Sequence, residues 1–304
     1  MRRLVLPLIL VAALAACAPG LRQAARAPDA QDPLLYDPAM IARAERIAVF
    51  IPGALNSVAM FAPARGWTEG GFAPVYFRFP GLDGLPLDEV LDPDAAAARI
   101  ADFAARHPNK DIALVGYSSG AAIAILAANR IRDGRIVPVA AISPAVEKAG
   151  GMTTVLAGAA DILRAAARAE RKDTFTIWTE YWQILLYGRH AEPAPQVRAA
   201  IRDGANRLRE ERALRPPLAR LARSHSARLR TWELPADLDL SHAPVRIFVG
   251  REDPVFTTRQ TLAFARKLGL SQIHAYPGDG HLLYLTQTDV FTTARLFAED
   301  ALAD

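Results

Sequence analysis

A serine lies at the centre of the pentapeptide Gly116–Gly120, whose sequence is GYSSG. An apolar run, residues 112–115, precedes it, and a run of small apolar residues, 121–128, follows it. This pattern predicts a strand, a sharp turn and a helix. A G-x-S-x-G turn in that position lifts the serine hydroxyl clear of the sheet, and its glycines relieve crowding. Ser118 is therefore a candidate nucleophile for acyl transfer. The simpler alternative is an ordinary turn in which Ser119 caps the helix.

A serine hydroxyl is a weak nucleophile until a base accepts its proton and an acid orients that base. Downstream, the predicted strand 245–250 runs into Asp253, which is followed by proline. A further predicted strand, 271–276, leads into a glycine-rich loop that carries His281. Both side chains therefore follow the carboxyl end of a strand, as Ser118 does, and we expect the loops to bring the three together.

With these three motifs in this order, the chain resembles serine hydrolases of the α/β-hydrolase fold, of the esterase and lipase type. The resemblance extends from about residue 47 to the C-terminus, apart from a central insertion. It implies a mostly parallel sheet flanked by helices, with a helical cap formed by the insertion. It also implies Ser118 as nucleophile, Asp253 as acid and His281 as general base, with no cofactor.

Other titratable residues near these motifs have alternative interpretations. Glu252 is an alternative acid, because the family uses either Asp or Glu. Asp279 is interpreted as a turn residue. The remaining histidines are interpreted as a helix C-terminal cation, a strand residue and three residues in or beside the insertion: His107, His274, His190, His225 and His242. No histidine has the H-E-x-x-H spacing of a helical zinc site, so metal chemistry is not expected.

An oxyanion hole requires two backbone N–H donors. The resemblance implies that one is Ser119, the residue after the nucleophile. The second should lie in the loop after the predicted strand 47–51, where Ala54 is the first choice and Leu55 the second. Related enzymes often have His-Gly where this chain has Pro52-Gly53. A plain β-turn at that position remains an alternative.

The N-terminus has a basic start and an apolar stretch, residues 4–14, that is too short to span a bilayer. It ends in LAAC, which resembles the lipobox of bacterial lipoproteins. The resemblance implies a signal peptide at residues 1–16, lipidation of Cys17 and a tether at 17–44, all at the bacterial cell envelope. Ala18 favours the periplasmic face of the outer membrane. Cys17 is the single cysteine, so it forms no disulfide within the chain.

The remaining chain predicts one α/β domain, with a core at residues 45–143 and 243–304 and a cap at 144–242. Its 51% hydrophobic and 22% charged residues are sufficient for a large core. The net charge of +4 falls to +2 (4 − 2) without Arg2 and Arg3, so no nucleic-acid partner is expected. Strands are predicted near 47–51, 74–79, 111–116, 136–142, 245–250 and 271–276, and helices near 92–107, 119–132, 257–268 and 287–302.

Two segments of the predicted cap have ambiguous patterns. Phe175, Trp178 and Trp182 recur at helical spacing, which is typical of a buried helix face and equally compatible with the wall of an acyl pocket. The segment 198–230 contains ten arginines. It predicts a solvated amphipathic helix pair or, as the alternative, contact with anionic lipid.

Together these features predict a serine hydrolase that cleaves carboxylic esters through an acyl-enzyme, with apolar or lipid-like acyl groups favoured by the aromatic cap. Amidase, aminopeptidase and thioesterase activities use the same residues and remain alternatives. A non-catalytic binding lipoprotein of the envelope is the alternative from another class. The expected partners are a small-molecule or lipid ester and the membrane, reached through the lipid on Cys17.

Overall fold

The computed structural model describes residues 31–146, 152–190, 218–270 and 273–303. The described residues contain seven strands: β1 (Leu34–Tyr36), β2 (Arg46–Ile51), β3 (Phe72–Phe77), β4 (Asp111–Tyr117), β5 (Val139–Ile142), β6 (Val245–Gly250) and β7 (His274–Tyr276). They form one sheet in the order β1-β3-β2-β4-β5-β6-β7, in which β1 is antiparallel to β3 and the other pairs are parallel.

The helices connect these strands. They are α1 (Pro38–Arg43), a 3-10 helix (Val58–Arg65), α2 (Gly66–Glu69), α3 (Pro93–Ala105), α4 (Ser119–Arg130), α5 (Met152–Arg168), α6 (Thr174–Tyr187), α7 (Ala219–Leu229), α8 (Thr258–Lys267), α9 (Leu283–Thr286) and α10 (Val290–Ala303). The α/β-hydrolase fold is thereby confirmed.

The predicted strands and helices are all present, and the differences lie at their ends. β3 begins two residues earlier than expected, and β5 begins at Val139 rather than at residue 136. The prediction of a tether as far as residue 44 is wrong at its end, because residues 34–36 and 38–43 form β1 and α1. Leu34 and Ile41 of these elements are buried in the core, which a solvated tether would not allow. Cys17 and residues 1–30 lie outside the described residues.

The side chains of β2 show why the sheet is covered on both faces. Ile47, Val49 and Ile51 enter one apolar cluster, to which α3 and α4 also contribute. Ala48 and Phe50 alternate with them and enter a second cluster with residues of the 3-10 helix, α6 and α10. A strand that is apolar at five consecutive positions, 47–51, suits a parallel sheet buried on both sides. The sheet is therefore a rigid support for the loops at its carboxyl end.

The insertion between β5 and β6 contributes α5, α6 and α7. Asp173 caps the start of α6, since its carboxylate accepts hydrogen bonds from the amides of Phe175 and Thr176. Gly188, with φ of +89°, follows the last turn of α6. Much of the arginine-rich segment, residues 198–217, lies outside the described residues, so contact with anionic lipid remains a prediction. Among the described residues, no helix has the length and apolar character required to cross a bilayer.

Candidate active site

The strand-to-helix turn between β4 and α4 holds Ser118 in a strained conformation, with φ of +52° and ψ of −119°. Such a backbone costs about 1–3 kcal/mol and persists only where its surroundings enforce it. Here the amide of Ser118 donates to the carbonyl of Ile142, at the end of the neighbouring strand, at 2.9 Å. The turn therefore places the serine side chain beyond the carboxyl edge of the sheet.

The two glycines of the pentapeptide are required by close backbone approaches. A Cβ atom on Gly116 would lie 2.3 Å from the carbonyl oxygen of Gly120. A Cβ atom on Gly120 would lie 2.2 Å from the carbonyl oxygen of Ile51, which belongs to β2. Real Cβ contacts below 3.0 Å are essentially absent. Any larger residue at either position would push the turn away from the sheet.

Asp253 lies just beyond β6 and is buried, with 4% of its surface exposed. One carboxylate oxygen, Oδ1, accepts hydrogen bonds from the amides of Val255 at 2.7 Å and Phe256 at 3.0 Å. The other, Oδ2, lies 2.8 Å from Nδ1 of His281. A buried carboxylate needs such partners, because an unpaired charge in the interior is costly. Asp253 is thus fixed in orientation by its own loop and joined to the histidine.

His281 lies in the loop after β7 and packs against Tyr117, the last residue of β4. Its ring is 5.4 Å from that of Tyr117 and 6.0 Å from that of Phe256, between centroids. The hydroxyl of Tyr117 donates to the carbonyl of His281 at 3.2 Å. Because Nδ1 faces the carboxylate of Asp253, Nδ1 carries the proton and Nε2 has a free lone pair. This tautomer allows Nε2 to accept a proton from a serine hydroxyl.

The alternative acids occupy different environments. Glu252 is exposed, and Gly188 packs against its Cβ. Asp279 is buried, but its carboxylate accepts a hydrogen bond from the side-chain amide of Gln287 at 2.9 Å. The acid that accepts the hydrogen bond from His281 is therefore Asp253, the residue that the sequence favours.

The other histidines do not contact Asp253 or His281 in the described residues, but one of them reaches a different part of the candidate site. His107 contacts the carbonyl of Phe103 near the C-terminus of α3, His190 and His274 are exposed, and His242 contacts the carbonyl of Ala128. His225 is fully buried and reaches the loop that was expected to supply an oxyanion donor. Within the described ranges, no group of three or more His, Cys, Asp or Glu residues is arranged to hold a metal ion.

The two candidate amides of the loop after β2 both donate to side chains. The amide of Ala54 donates to Oγ of Ser119 at 2.7 Å, so it points at the first turn of α4. The amide of Leu55 donates to Nδ1 of His225 at 2.9 Å. The amide of Leu55, the second candidate donor, is therefore occupied by a buried side chain of the insertion. The alternative in which Ser119 caps α4 is not observed, because Ser118 occupies the N-cap position, no side chain caps the helix there, and the hydroxyl of Ser119 accepts from Ala54.

The backbone amide of Ser119, the other expected donor, lies at the start of a helix. Ser119 is the first residue of α4. The first N–H groups of a helix have no intrahelical acceptor, and the helix dipole makes that end favourable for negative charge. The amide of Ala54 donates to the side chain of Ser119, so the backbone of Ala54 lies next to the start of α4. The arrangement of these two residues is compatible with an oxyanion hole next to Ser118.

The end of α6 contacts the loop that carries His281 through main-chain atoms. The amide of Gly280 donates to the carbonyl of Leu186 at 2.6 Å, and the amide of Leu282 donates to the carbonyl of Leu185 at 3.2 Å. A Cβ atom on Gly280 would lie 2.3 Å from the carbonyl oxygen of Leu185. The cap helix is therefore fastened to the histidine loop at very close range.

A buried ion pair fastens the cap to the loop of the acid. Asp161 of α5 is buried, and both its carboxylate oxygens accept from the guanidinium of Arg189, at 2.7 and 3.0 Å. These hydrogen bonds are the largest cause that raises the pKa of Arg189 above its ordinary value. The same guanidinium donates to the carbonyl of Pro254, next to Asp253. The loops of Asp253 and His281 are thus both held by the insertion.

The aromatic residues of α6 divide between core and partial exposure. Trp178 is buried in the apolar cluster on one face of the sheet, and Trp182 packs against that cluster while partly exposed. Phe175 is also partly exposed. The indole N–H groups of Trp178 and Trp182 are buried and have no hydrogen-bond partner among the described residues. A role for these three residues in an acyl pocket remains a prediction.

Sequence reasoning missed His225, Asp161 and Arg189, because each acts through a partner far away in the chain. For His225, the sequence did contain a signal of burial. Ala222, His225 and Leu229 share one face of α7 at helical spacing and are buried, so a histidine on that face requires polar partners. The identity of those partners follows only from the folded chain.

Comparison with known proteins agrees with this fold. The alpha/beta hydrolase family model matches residues 48–294, and the chain belongs to that family. No curated protein sequence matches it. Among solved structures, a thermophilic esterase from Thermogutta terrifontis is similar, with a TM-score of 0.60 and 17% identity over 85% of this chain and 91% of that one.

Two further solved structures are similar at comparable distance. A monoacylglycerol lipase from Paleococcus ferrophilus has a TM-score of 0.52 and 18% identity, over 84% of this chain and 94% of that one. The enol-lactonase from Burkholderia xenovorans has a TM-score of 0.60 and 13% identity, over 89% of this chain and 95% of that one. At such identities the likeness shows the fold alone. Membership of the family supports a hydrolase.

Proposed function

We propose that this protein is a serine hydrolase that cleaves carboxylic esters through an acyl-enzyme. The observation that carries the proposal is the hydrogen bond between Asp253 and Nδ1 of His281, at 2.8 Å, beside a strained serine turn. This bond fixes the tautomer that a general base requires. The strained turn supplies a serine in the position that a nucleophile requires.

The proposed reaction proceeds in two halves. Oγ of Ser118 attacks the ester carbonyl carbon and forms an O–C bond, while Nε2 of His281 takes the hydroxyl proton. The carbonyl oxygen becomes an oxyanion, which the amides of Ser119 and Ala54 stabilise. The C–O bond to the alcohol then breaks, and the imidazolium returns its proton to the leaving alcohol. Water repeats the sequence on the acyl-enzyme and releases the acid, while Asp253 stabilises the imidazolium in both halves.

The site supports apolar acyl groups as substrates. Trp178 and Trp182 belong to α6, whose C-terminal end contacts the histidine loop, and we propose that they form a wall of the acyl pocket. Pockets for small molecules are mostly apolar and aromatic, with few polar groups. Esters of medium-chain or lipid-like acids fit such a wall. Three similar structures carry names of ester-cleaving enzymes, and an ester is the substrate that we propose.

The test uses the chain without residues 1–17 and a Ser118→Ala variant of the same length. Both receive a fluorophosphonate probe, and then p-nitrophenyl esters of increasing acyl length. We expect labelling and hydrolysis by the wild type only, with an optimum above acetate. A folded wild-type domain that does not react with the probe would contradict the proposal and favour a binding protein. Equal turnover of matched anilides would favour an amidase instead.

We further propose that Cys17 carries a lipid that anchors the protein in the bacterial envelope, with residues 18 to about 30 as the tether. The support is the LAAC sequence after a basic start and a short apolar stretch. Expression of the full chain in a bacterial host with labelled palmitate tests it. We expect label in the wild type and none in Cys17→Ser, which should also leave the membrane fraction. Label that persists in the variant would exclude this anchor.

A further inference from the structure

His225 is a fully buried histidine whose two ring nitrogens both have backbone partners. Nδ1 accepts the hydrogen bond from the amide of Leu55 at 2.9 Å, and Nε2 donates to the carbonyl of Pro80 at 2.8 Å. These partners lie 170 and 145 residues away in the sequence. His225 comes from α7 of the insertion, whereas both partners belong to loops at the carboxyl end of the sheet. One side chain thus joins the insertion to two core loops.

The partner at Nδ1 belongs to the loop that supplies the second oxyanion donor. Leu55 has a φ of +68°, a left-handed conformation that is unfavourable for a residue with a side chain. Such a conformation persists where neighbouring contacts enforce it. The amide of the preceding residue, Ala54, points at Ser119 beside the nucleophile. The acceptor on His225 therefore fixes the peptide between Ala54 and Leu55, and through the shared Cα of Ala54 it restrains the preceding peptide, whose N–H is the expected oxyanion donor.

The hydrogen bond from Leu55 requires a neutral imidazole. Only an unprotonated Nδ1 can accept it, while Nε2 keeps its proton for Pro80. Burial lowers the pKa of His225 below its ordinary value, which keeps the ring neutral near pH 7. The ring also packs edge-on against Phe79, with centroids 5.8 Å apart. The imidazole is thus held in one tautomer and one orientation.

We infer that His225 is a positioning residue for the oxyanion hole. By accepting the hydrogen bond from Leu55, His225 withdraws that amide from the site and holds the left-handed turn. This leaves Ala54 as the donor beside Ser118, where an oxyanion would replace Oγ of Ser119 as the acceptor of its amide. The insertion then contributes to the reaction without touching the substrate. This inference rests on the proposed function of the site.

Two substitutions separate the hydrogen bonds of His225. Asparagine places an oxygen at the position of Nδ1, so His225→Asn can still accept from Leu55 but loses the donor to Pro80. Glutamine places an amide nitrogen near the position of Nε2, so His225→Gln can still donate to Pro80 but loses the acceptor for Leu55. Each variant therefore loses one buried hydrogen bond, and we expect similar losses of melting temperature.

The two variants should differ in catalysis. Removal of one oxyanion donor lowers kcat by about 10²–10³-fold in a serine protease. We expect His225→Gln to lower kcat of ester hydrolysis by about 10–100-fold with KM changed less than about threefold, because the donor is displaced rather than deleted. His225→Asn should recover most of that loss. As a control, Ser224→Ala removes another hydrogen bond of α7, to the carbonyl of Glu89 at 2.8 Å, and should leave kcat unchanged.

The outcomes distinguish the inference from the proposed function. If kcat falls equally in both His225 variants, in proportion to melting temperature, or falls in neither, the positioning role is overturned. If the wild type fails to react with a fluorophosphonate probe or any ester, the proposed function itself fails. A selective loss of kcat in His225→Gln, at matched stability, supports the inference.

Discussion

The close approach between Gly280 and the end of α6 gives the sharpest test of how the cap holds the histidine loop. In Gly280→Ala, the added Cβ would lie 2.3 Å from the carbonyl oxygen of Leu185, with two carbonyl carbons within 3.0 Å. Contacts of a Cβ atom below 3.0 Å essentially never occur, so the histidine loop and the end of α6 must separate by at least 0.7 Å (3.0 − 2.3). All three atoms are backbone, so no side chain can rotate away. The separation displaces His281, the next residue.

The expected magnitude follows from that displacement. A misplacement of about 1 Å can lower the rate by about 10²-fold, so kcat/KM for p-nitrophenyl esters should fall by about 30–100-fold. Overpacking of this kind also costs about 1–3 kcal/mol of folding free energy. Circular dichroism on heating should show a folded protein with a reduced melting temperature.

Two other glycines provide matched controls. Gly158 of α5 has open space around its Cβ position, so Gly158→Ala should leave activity unchanged and raise stability by up to about 1 kcal/mol. Gly278 lies in the histidine loop with φ of +80° and no atom within 4 Å of an added Cβ. Gly278→Ala should cost about 1–2 kcal/mol of stability through backbone strain, with less than a threefold change in kcat/KM. A folded Gly280→Ala variant with activity within threefold of the wild type would refute the reasoning.

Three further predictions concern the site. Asp253→Asn should lower kcat by about 10⁴-fold while the protein stays folded. The amide oxygen of asparagine can still accept from the amides of Val255 and Phe256, but asparagine cannot fix the imidazole tautomer of His281. Glu252→Gln should change kcat less than twofold, and a large loss of kcat in that variant would reassign the acid. Ser119→Ala should raise kcat/KM about 2–10-fold. The amide of Ala54 loses a competing acceptor, the hydroxyl of Ser119, in a hydrogen bond worth about 0.5–1.5 kcal/mol. A tenfold fall in kcat/KM would mean that the hydroxyl assists the reaction. Stability should fall as pH drops below about 6.5, the ordinary pKa of histidine, because the unfolded chain protonates His225 while burial keeps the folded form neutral. Urea unfolding should show a slope from this group of at most about 1.4 kcal/mol per pH unit, absent in His225→Asn, and equal slopes in the two proteins would contradict it.

The fold was predictable because its signals are local. The apolar strands, the proline and acidic residues at the start of α3 and the glycine-flanked turn at Ser118 each lie within a few residues of one another. Asp92, for example, caps α3 by accepting from the amides of Asp94 and Ala95, as its sequence neighbours indicate. The order of serine, acid and histidine then restricted the chain to one family of topologies.

The parts that were not predictable depend on contacts between distant segments. Nothing near Leu55 in the sequence shows that its amide meets an imidazole 170 residues later. Likewise, β1 is three residues long and gains its stability from pairing with β3 and from the burial of Leu34. A strand of that length has too few residues to show a periodic pattern. The sequence therefore did not indicate where the predicted tether ends and β1 begins. Long-range partners decide such elements, and they become visible only in the folded chain.

The contact between α6 and the histidine loop has a consequence for how such a chain can change. It consists of main-chain hydrogen bonds from Gly280 and Leu282 to the carbonyls of Leu186 and Leu185. A carbonyl offers the same acceptor whatever side chain its residue carries, so substitutions along α6 preserve this attachment as long as the helix forms. Under the proposed function, substrate preference could then change through partly exposed residues of α6, such as Trp182, while the position of His281 is preserved. In α6 the side chains can therefore change in evolution, whereas the main-chain attachment to the histidine loop is preserved.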